Sequence, residues 1–155
     1  MEINVQVTIQ KSIDEVWEVM GNQFGHADVW SSNFKTSKPG GEKKFKGLDY
    51  SLRDTTTDTG NTIQELTAFD AAAYSFSYEI TQGAPDIAKR ATSTWYLKET
   101  EGGTVAYMDT IMEPKMPLNE EMEGKIKMGL TASFNQLAEE LKFYMETGKA
   151  HRNNN

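Results

Sequence analysis

The stretch "PLNEEMEGKIKMGLTASFNQLAEELKFYMETG", residues 117 to 148, is the one long helical pattern in the chain. Asn119 stands at the N-cap position, and Glu120, Glu121 and Glu123 fill the first turn, where the helix dipole favours anions. Gly148 supplies the stop. Met122, Ile126, Gly129, Leu130, Ser133, Phe134, Leu137, Leu141 and Tyr144 recur at 3.6-residue spacing on one stripe. The opposite face offers Glu121/Lys125 and Glu123/Lys127 as solvent pairs. One amphipathic helix must find an apolar partner, and the rest of the chain supplies strands.

Residues 2 to 10 alternate, with Ile3, Val5, Val7 and Ile9 on one face, as a half-buried strand does. Ser12 and Glu15 then form a capping box. Val16, Trp17 and Met20 give the helix that follows an apolar side, and Gly21 is expected to end it. A second short helical piece is expected from about Asn22 to Trp30, with Trp17 and Trp30 as anchors. From about residue 33 to 114, strand patterns alternate with turn signals: "DTGN" at 58–61, Gly83 and Pro85, "EGGT" and Pro114. Short Gly-bearing connections of this kind imply an antiparallel meander.

The order is therefore strand, two short helices, about six strands, then one long helix. It predicts an α+β fold: a curved antiparallel sheet of about seven strands around the C-terminal helix, in one domain over residues 1–148. Residues 149–155 are expected to be a frayed tail. A curved sheet gripping one helix leaves a space between them. Gly129 and Ser133, small residues near the centre of the stripe, fit that space and fit equally a close approach of the sheet backbone.

Composition narrows the function classes. The net charge of −7 argues against phosphate backbones and anionic lipid surfaces as partners. "KPGGEKKFK", residues 38 to 46, is the one basic run, and reads as a solvated loop or hairpin. The absence of cysteine excludes disulfides, thiolate nucleophiles and Cys-ligated metal. No apolar run approaches the roughly 18 residues that span a bilayer, and the N-terminus lacks a signal-peptide pattern, so a cytoplasmic location is expected.

His26 beside Asp28 is the sharpest catalytic candidate, since a carboxylate can orient an imidazole. Residues two apart do not face each other on a helix, however, so an exposed polar pair is the better reading. The only other histidine, His151, lies in the tail, which leaves no His-based metal site. Glu65, Glu79, Asp109 and Glu113 read as solvated charges.

The segments "SIDEVWEVMGNQFGHADVW", "RDTTTDTG", "QELTAFDAAAYSFSYEI" and "GAPDIAKRATSTWYL", in this order of elements, resemble the START-like helix-grip (SRPBCC) superfamily. The resemblance spans about residues 3 to 146 and is nearest to the bacterial polyketide cyclase/dehydrase-like proteins. It implies a cavity between sheet and helix that holds a small, largely apolar molecule, aromatic, polyketide-like or lipid, without a cofactor. Either a carrier or sensor, or a cofactor-independent cyclase or dehydratase, would use that cavity. By position the resemblance assigns Gln64, Tyr78, Ile80, Ser93, Trp95, Tyr107, Gly129 and Ser133 to it. Arg53 matches an inward Arg of the group, whereas alternation along "GLDYSLRDTT" would bury Tyr50 and Leu52 and turn Arg53 outward. In the last strand Tyr107 and Ile111 compete with Met108 and Met112 for the inner face. Tyr50, Leu137 and, at the cavity mouth, Met112, Met116 and Met122 complete the candidates. Small apolar molecules are the partners implied, with the protein a monomer or homodimer.

Overall fold

A computed structural model describes residues 1–150 of the chain; the rest of the expected tail, with His151, lies outside the described residues. Seven antiparallel strands form one sheet in the order β1-β7-β6-β5-β4-β3-β2: β1 Glu2–Ile9, β2 Thr36–Gly40, β3 Leu52–Thr57, β4 Gly60–Asp70, β5 Ser75–Gln82, β6 Ala88–Thr100 and β7 Gly103–Pro114. Register shifts at Ile63/Gln64, Leu66/Ala68 and Ala88/Arg90 mark bulges, which increase local twist and bend. Ile3, Val5, Val7 and Ile9 of β1 are buried as their alternation requires. Registration with β7 places Thr104, Ala106, Met108 and Thr110 beside them on the concave face.

The last strand therefore presents Met108, Thr110 and Met112 inward and Tyr107, Asp109 and Ile111 outward. Tyr107 is stacked on Tyr96 of β6 with ring centroids 4.8 Å apart, beneath Lys98. Its assignment to the cavity is thus corrected by register: Tyr107 is on the convex face. The opposite correction applies to β3, where Arg53 is buried and Leu52 only half-buried. Tyr50 precedes the strand, so it does not set the alternation.

Helix α1 (Ile13–Trp17) starts with the capping box: Glu15 N donates to Ser12 Oγ, and Ser12 N to Glu15 Oε1. Gly21 does not end this helical segment, which runs on as a π-helical turn over Glu18–Asn22. A Cβ on Gly21 would sit 2.6 Å from the Trp17 indole. The glycine is needed for close packing, and its neighbour Trp17 then meets Phe69, Tyr74 and Phe76. A 3₁₀ segment, Phe24–Val29, follows within the expected second helical piece and buries Phe24, Gly25 and Ala27. These turns, with Trp17 and Trp30, close one half of the concave face. The basic run is part of β2 and its exposed turn, with Lys43 near Asp49.

The long helix α2 (Glu120–Thr147) begins where Asn119 Oδ1 accepts from Met122 N and ends at left-handed Gly148. Its C-terminal half is anchored to β1: Lys142 Nζ donates to Thr8 O at 2.6 Å, and Glu146 accepts from Gln10 N at 2.8 Å. Leu137, Ala138, Glu140 and Leu141 are its buried residues. Of the expected stripe, Ile126, Leu130, Phe134 and Tyr144 are half-buried, while Met122, Gly129 and Ser133 are exposed.

Gly21→Ala should lose about 1–3 kcal/mol of stability, because the added methyl overpacks the Trp17 ring. Urea unfolding should show a lower midpoint with an unchanged slope; a midpoint equal to wild type would refute this packing role.

Candidate functional site

The concave face has two apolar patches. One is filled by Trp17, Phe24, Phe69, Phe76, Trp95, Leu97, Met108 and the buried part of α2. The other is small: Ala88, Ala91 and Met112, with Ile80, Ile126 and Leu130 partly buried around them. Between the patches, strand pairing sets Arg53 (β3) beside Gln64 (β4) and, one inward step along, Tyr78 (β5) beside Ser93 (β6) and Ser93 beside Thr110 (β7). Across β4 and β5 Gln64 pairs with Ile80, and the two groups meet where the Arg53 guanidinium lies 5.1 Å from the Tyr78 ring centroid. This transverse belt is polar and buried.

Arg53 is the charged end of the belt. It is 5% exposed, and its Nε donates to Gln64 Oε1 at 2.7 Å while Nη1 donates to Phe24 O at 3.1 Å. Its guanidinium carbon lies 4.0, 5.2 and 5.1 Å from the ring centroids of Phe24, Phe34 and Tyr78. Ring faces attract a desolvated cation by about 2 kcal/mol or more. No carboxylate pairs with it among the described residues. Burial accordingly pulls the Arg53 pKa below its ordinary value, with the Tyr78 and Tyr50 phenols opposing.

Gln64 is oriented by its partner. Arg53 Nε can only donate, so the amide oxygen must face it and the N–H₂ group faces elsewhere. Ser93 Oγ and Thr110 Oγ1 are 2.8 Å apart, one donating to the other. Trp95 stands two residues from Ser93 on the same face. Its indole N–H is buried and has no hydrogen-bond partner among the described residues.

Of the sequence-derived candidates, Arg53, Gln64, Tyr78, Ser93 and Trp95 lie on or next to the belt, and Ile80 and Met112 border it in the small patch. Leu137 is buried in the filled patch. Tyr50 plays a different part: its hydroxyl accepts from Gly25 N at 2.7 Å and donates to Asn22 O at 3.3 Å, clamping the 3₁₀ segment. Gly129 and Ser133 are exposed on α2, and a Cβ on Gly129 would meet open space, so no close sheet contact explains that glycine. Met116 and Met122 are exposed near the start of α2. His26 is exposed as well.

Three residues of the region escaped the sequence reading. Phe24 and Phe34 cage Arg53, and Glu140 is a carboxylate only 2% exposed on α2. Glu140 accepts from Ser32 N at 3.0 Å and from Ser32 Oγ, fastening the loop before β2, which carries Phe34, to the helix. Its spacing from Leu137 and Leu141 on the apolar stripe was the available signal.

A separate, solvent-open groove of about 470 Å³ runs between Gln10–Ser12, Glu15 and the β6–β7 turn. It lies at the opposite end of the β6–β7 hairpin from Ala88 and Met112. Its one acid from α1, Glu15, is already committed to the capping box, which holds its carboxyl below the usual range.

The family profile described as polyketide cyclase / dehydrase and lipid transport matches residues 1–146. No curated protein matches the chain. Among solved structures it is similar to a START superfamily protein from Mycobacterium smegmatis, with 15% identity, a TM-score of 0.74 and coverage of 96% of this chain and 99% of that one. XoxI from Bacillus cereus is 20% identical, with a TM-score of 0.72 and coverage of 97% and 99%. Ara h 8.0201 is 15% identical, with a TM-score of 0.67 and coverage of 95% and 98%. At these identities the structural likeness speaks to the fold.

Gln64→Leu should cost about 1–3 kcal/mol, since it removes the acceptor of a buried, charged Arg53 N–H. Thermal or chemical unfolding of the variant checks this; stability equal to wild type would mean that the Arg53–Gln64 bond is not formed.

Proposed function

The chain belongs to the polyketide cyclase/dehydrase and lipid-transport family, and from that premise we propose that it binds a small, largely apolar molecule as a carrier or sensor. The ligand would lie between the concave face and the first half of α2. The observation that carries this reading is the mismatch between the two halves of the helix. Every buried residue of α2 falls between Leu137 and Leu141, whereas Glu120–Gln136 has none.

Opposite that exposed half, the sheet offers alanines rather than bulk. Ala88 and Ala91 are buried beside Met112, and the helix answers with half-buried Ile126 and Leu130. A closed core would place large side chains here to reach native packing density. Short apolar side chains under a lightly seated helix suit a site whose filling comes from a guest. In this reading Ile80, Ala91, Met112, Ile126 and Leu130 contact the apolar body, and Tyr78, Ser93, Trp95, Gln64 and Arg53 face its polar end. Met116 and Met122 sit at the mouth, where flexible thioethers adapt to different shapes.

Native mass spectrometry and thermal-shift screening against apolar metabolites should give a one-to-one adduct. A ligand at about a hundredfold over its Kd should add roughly 2.7 kcal/mol of stability. Ala91→Phe should abolish both effects while leaving the far-ultraviolet circular dichroism unchanged. Failure of every apolar class to bind the wild-type protein would overturn the proposal.

A further inference from the structure

The belt has more hydrogen-bond donors than acceptors. A guanidinium carries five N–H groups and can accept nothing; Arg53 bonds to Gln64 and to Phe24 O and has the Tyr78 phenol as a third hydrogen-bond partner, which leaves two N–H groups over. Gln64 turns its oxygen to Arg53, so its N–H₂ group faces away from the guanidinium. Ser93 and Thr110 share one bond, which leaves one hydroxyl hydrogen over. Trp95, 3% exposed, adds an indole N–H that no described residue accepts. Trp17 holds the other unpartnered buried donor, but it stands among Phe69, Tyr74 and Phe76 and away from the belt.

A buried donor without an acceptor is costly, and a buried cation without an anion more so. The buried carboxylate of this region, Glu140, is occupied by Ser32 and faces the loop before β2. The outward acids of the neighbouring strands are on the other side of the sheet, with Glu79 on Arg90 and Glu113 on Lys89. What would complete the belt is therefore a group with acceptors and negative charge. The belt also borders the small apolar patch directly: Ala91 and Met112 are the next inward residues after Ser93 and Thr110.

Resting on the binding reading above, we propose that the ligand is an acidic amphiphile held head-inward. Its carboxylate or comparably acidic oxygen meets the donors of Arg53, Gln64, Ser93 and Trp95. Its apolar body extends past Ala91 and Met112 towards the first half of α2. The neutral alcohol or ester of the same body keeps the apolar contacts but offers the guanidinium no charge.

Isothermal titration of the wild-type protein with decanoic acid, methyl decanoate, naphthoic acid and methyl naphthoate tests this. At neutral pH each acid should bind about tenfold or more tightly than its ester, the difference expected of a charged hydrogen bond. Arg53→Met should remove that preference, leaving acid and ester equal. Trp95→Phe, which keeps the ring and loses only the N–H, should weaken the acids severalfold, and it keeps the test open if Arg53→Met does not fold. Equal or tighter binding of the esters to wild type would overturn the acidic head and leave the binding reading intact. Binding of none of these probes or of any other apolar molecule would overturn both.

Discussion

The Arg53 guanidinium is the junction on which the concave face depends. Burying a cation without a carboxylate is costly, and the structure offsets that cost with ring faces and neutral oxygens. Each of those groups comes from a different segment. Phe24 belongs to the 3₁₀ segment, Phe34 to the loop before β2, Gln64 to β4 and Tyr78 to β5. One side chain thereby fixes how the short helical turns sit on the sheet. Tyr50 and Ser37 reinforce the same arrangement from behind, Tyr50 accepting from Gly25 N and Ser37 Oγ donating to Gly25 O. Gly25 itself has no room for a side chain, since a Cβ would fall 2.7 Å from Pro39.

The second junction is Glu140, and it ties the helix to this arrangement. Its contact with Ser32 holds the loop that delivers Phe34, so α2 and the Arg53 cage are connected through one short segment. The half of α2 that makes this contact is also the half anchored to β1. The half without such anchors faces the alanines. The division between a fastened and an unfastened half of the helix thus follows from where the polar latches are placed, and not from a change in its intrinsic helix-forming character.

Local signals carried the fold. The alternation of β1, the Ser12/Glu15 box, the Asn119 cap and the Gly148 stop each use backbone rules that neighbouring residues fully determine. The site was less legible, because its residues are selected by tertiary contacts. Arg53 looked outward on alternation counted from Tyr50, but the strand begins at Leu52 and Tyr50 is already spent on Gly25 and Asn22. Gly21 carried the signature of a helix stop and proved to be a clearance for Trp17, a relation visible only once the ring is in place. Tyr107 lost the inner face of β7 to Met108 and Met112, and its aromatic partner Tyr96 shows why a tyrosine is stable outside. The resemblance to the START-like group supplied the inward Arg53 that periodicity missed.

The chemistry of the belt bears on the choice between a binding protein and a cyclase or dehydratase. A row of donors around a buried cation stabilises oxygen that is already anionic, and equally oxygen that becomes anionic along a reaction. Proton transfer to or from carbon needs a second component, a group that can accept or release a proton at the pH of the cell. Neither obvious supplier lies on the belt. The Glu140 carboxylate is bound from two sides by Ser32, and His26 is exposed on the 3₁₀ segment. Tyrosine hydroxyls are the weak acids that remain, and burial pushes the Tyr50 phenol up, further from that range. The donors gathered on the concave face, with the Arg53 guanidinium the strongest of them, are suited to holding an anionic oxygen, and it is this feature that the proposed acidic guest would use.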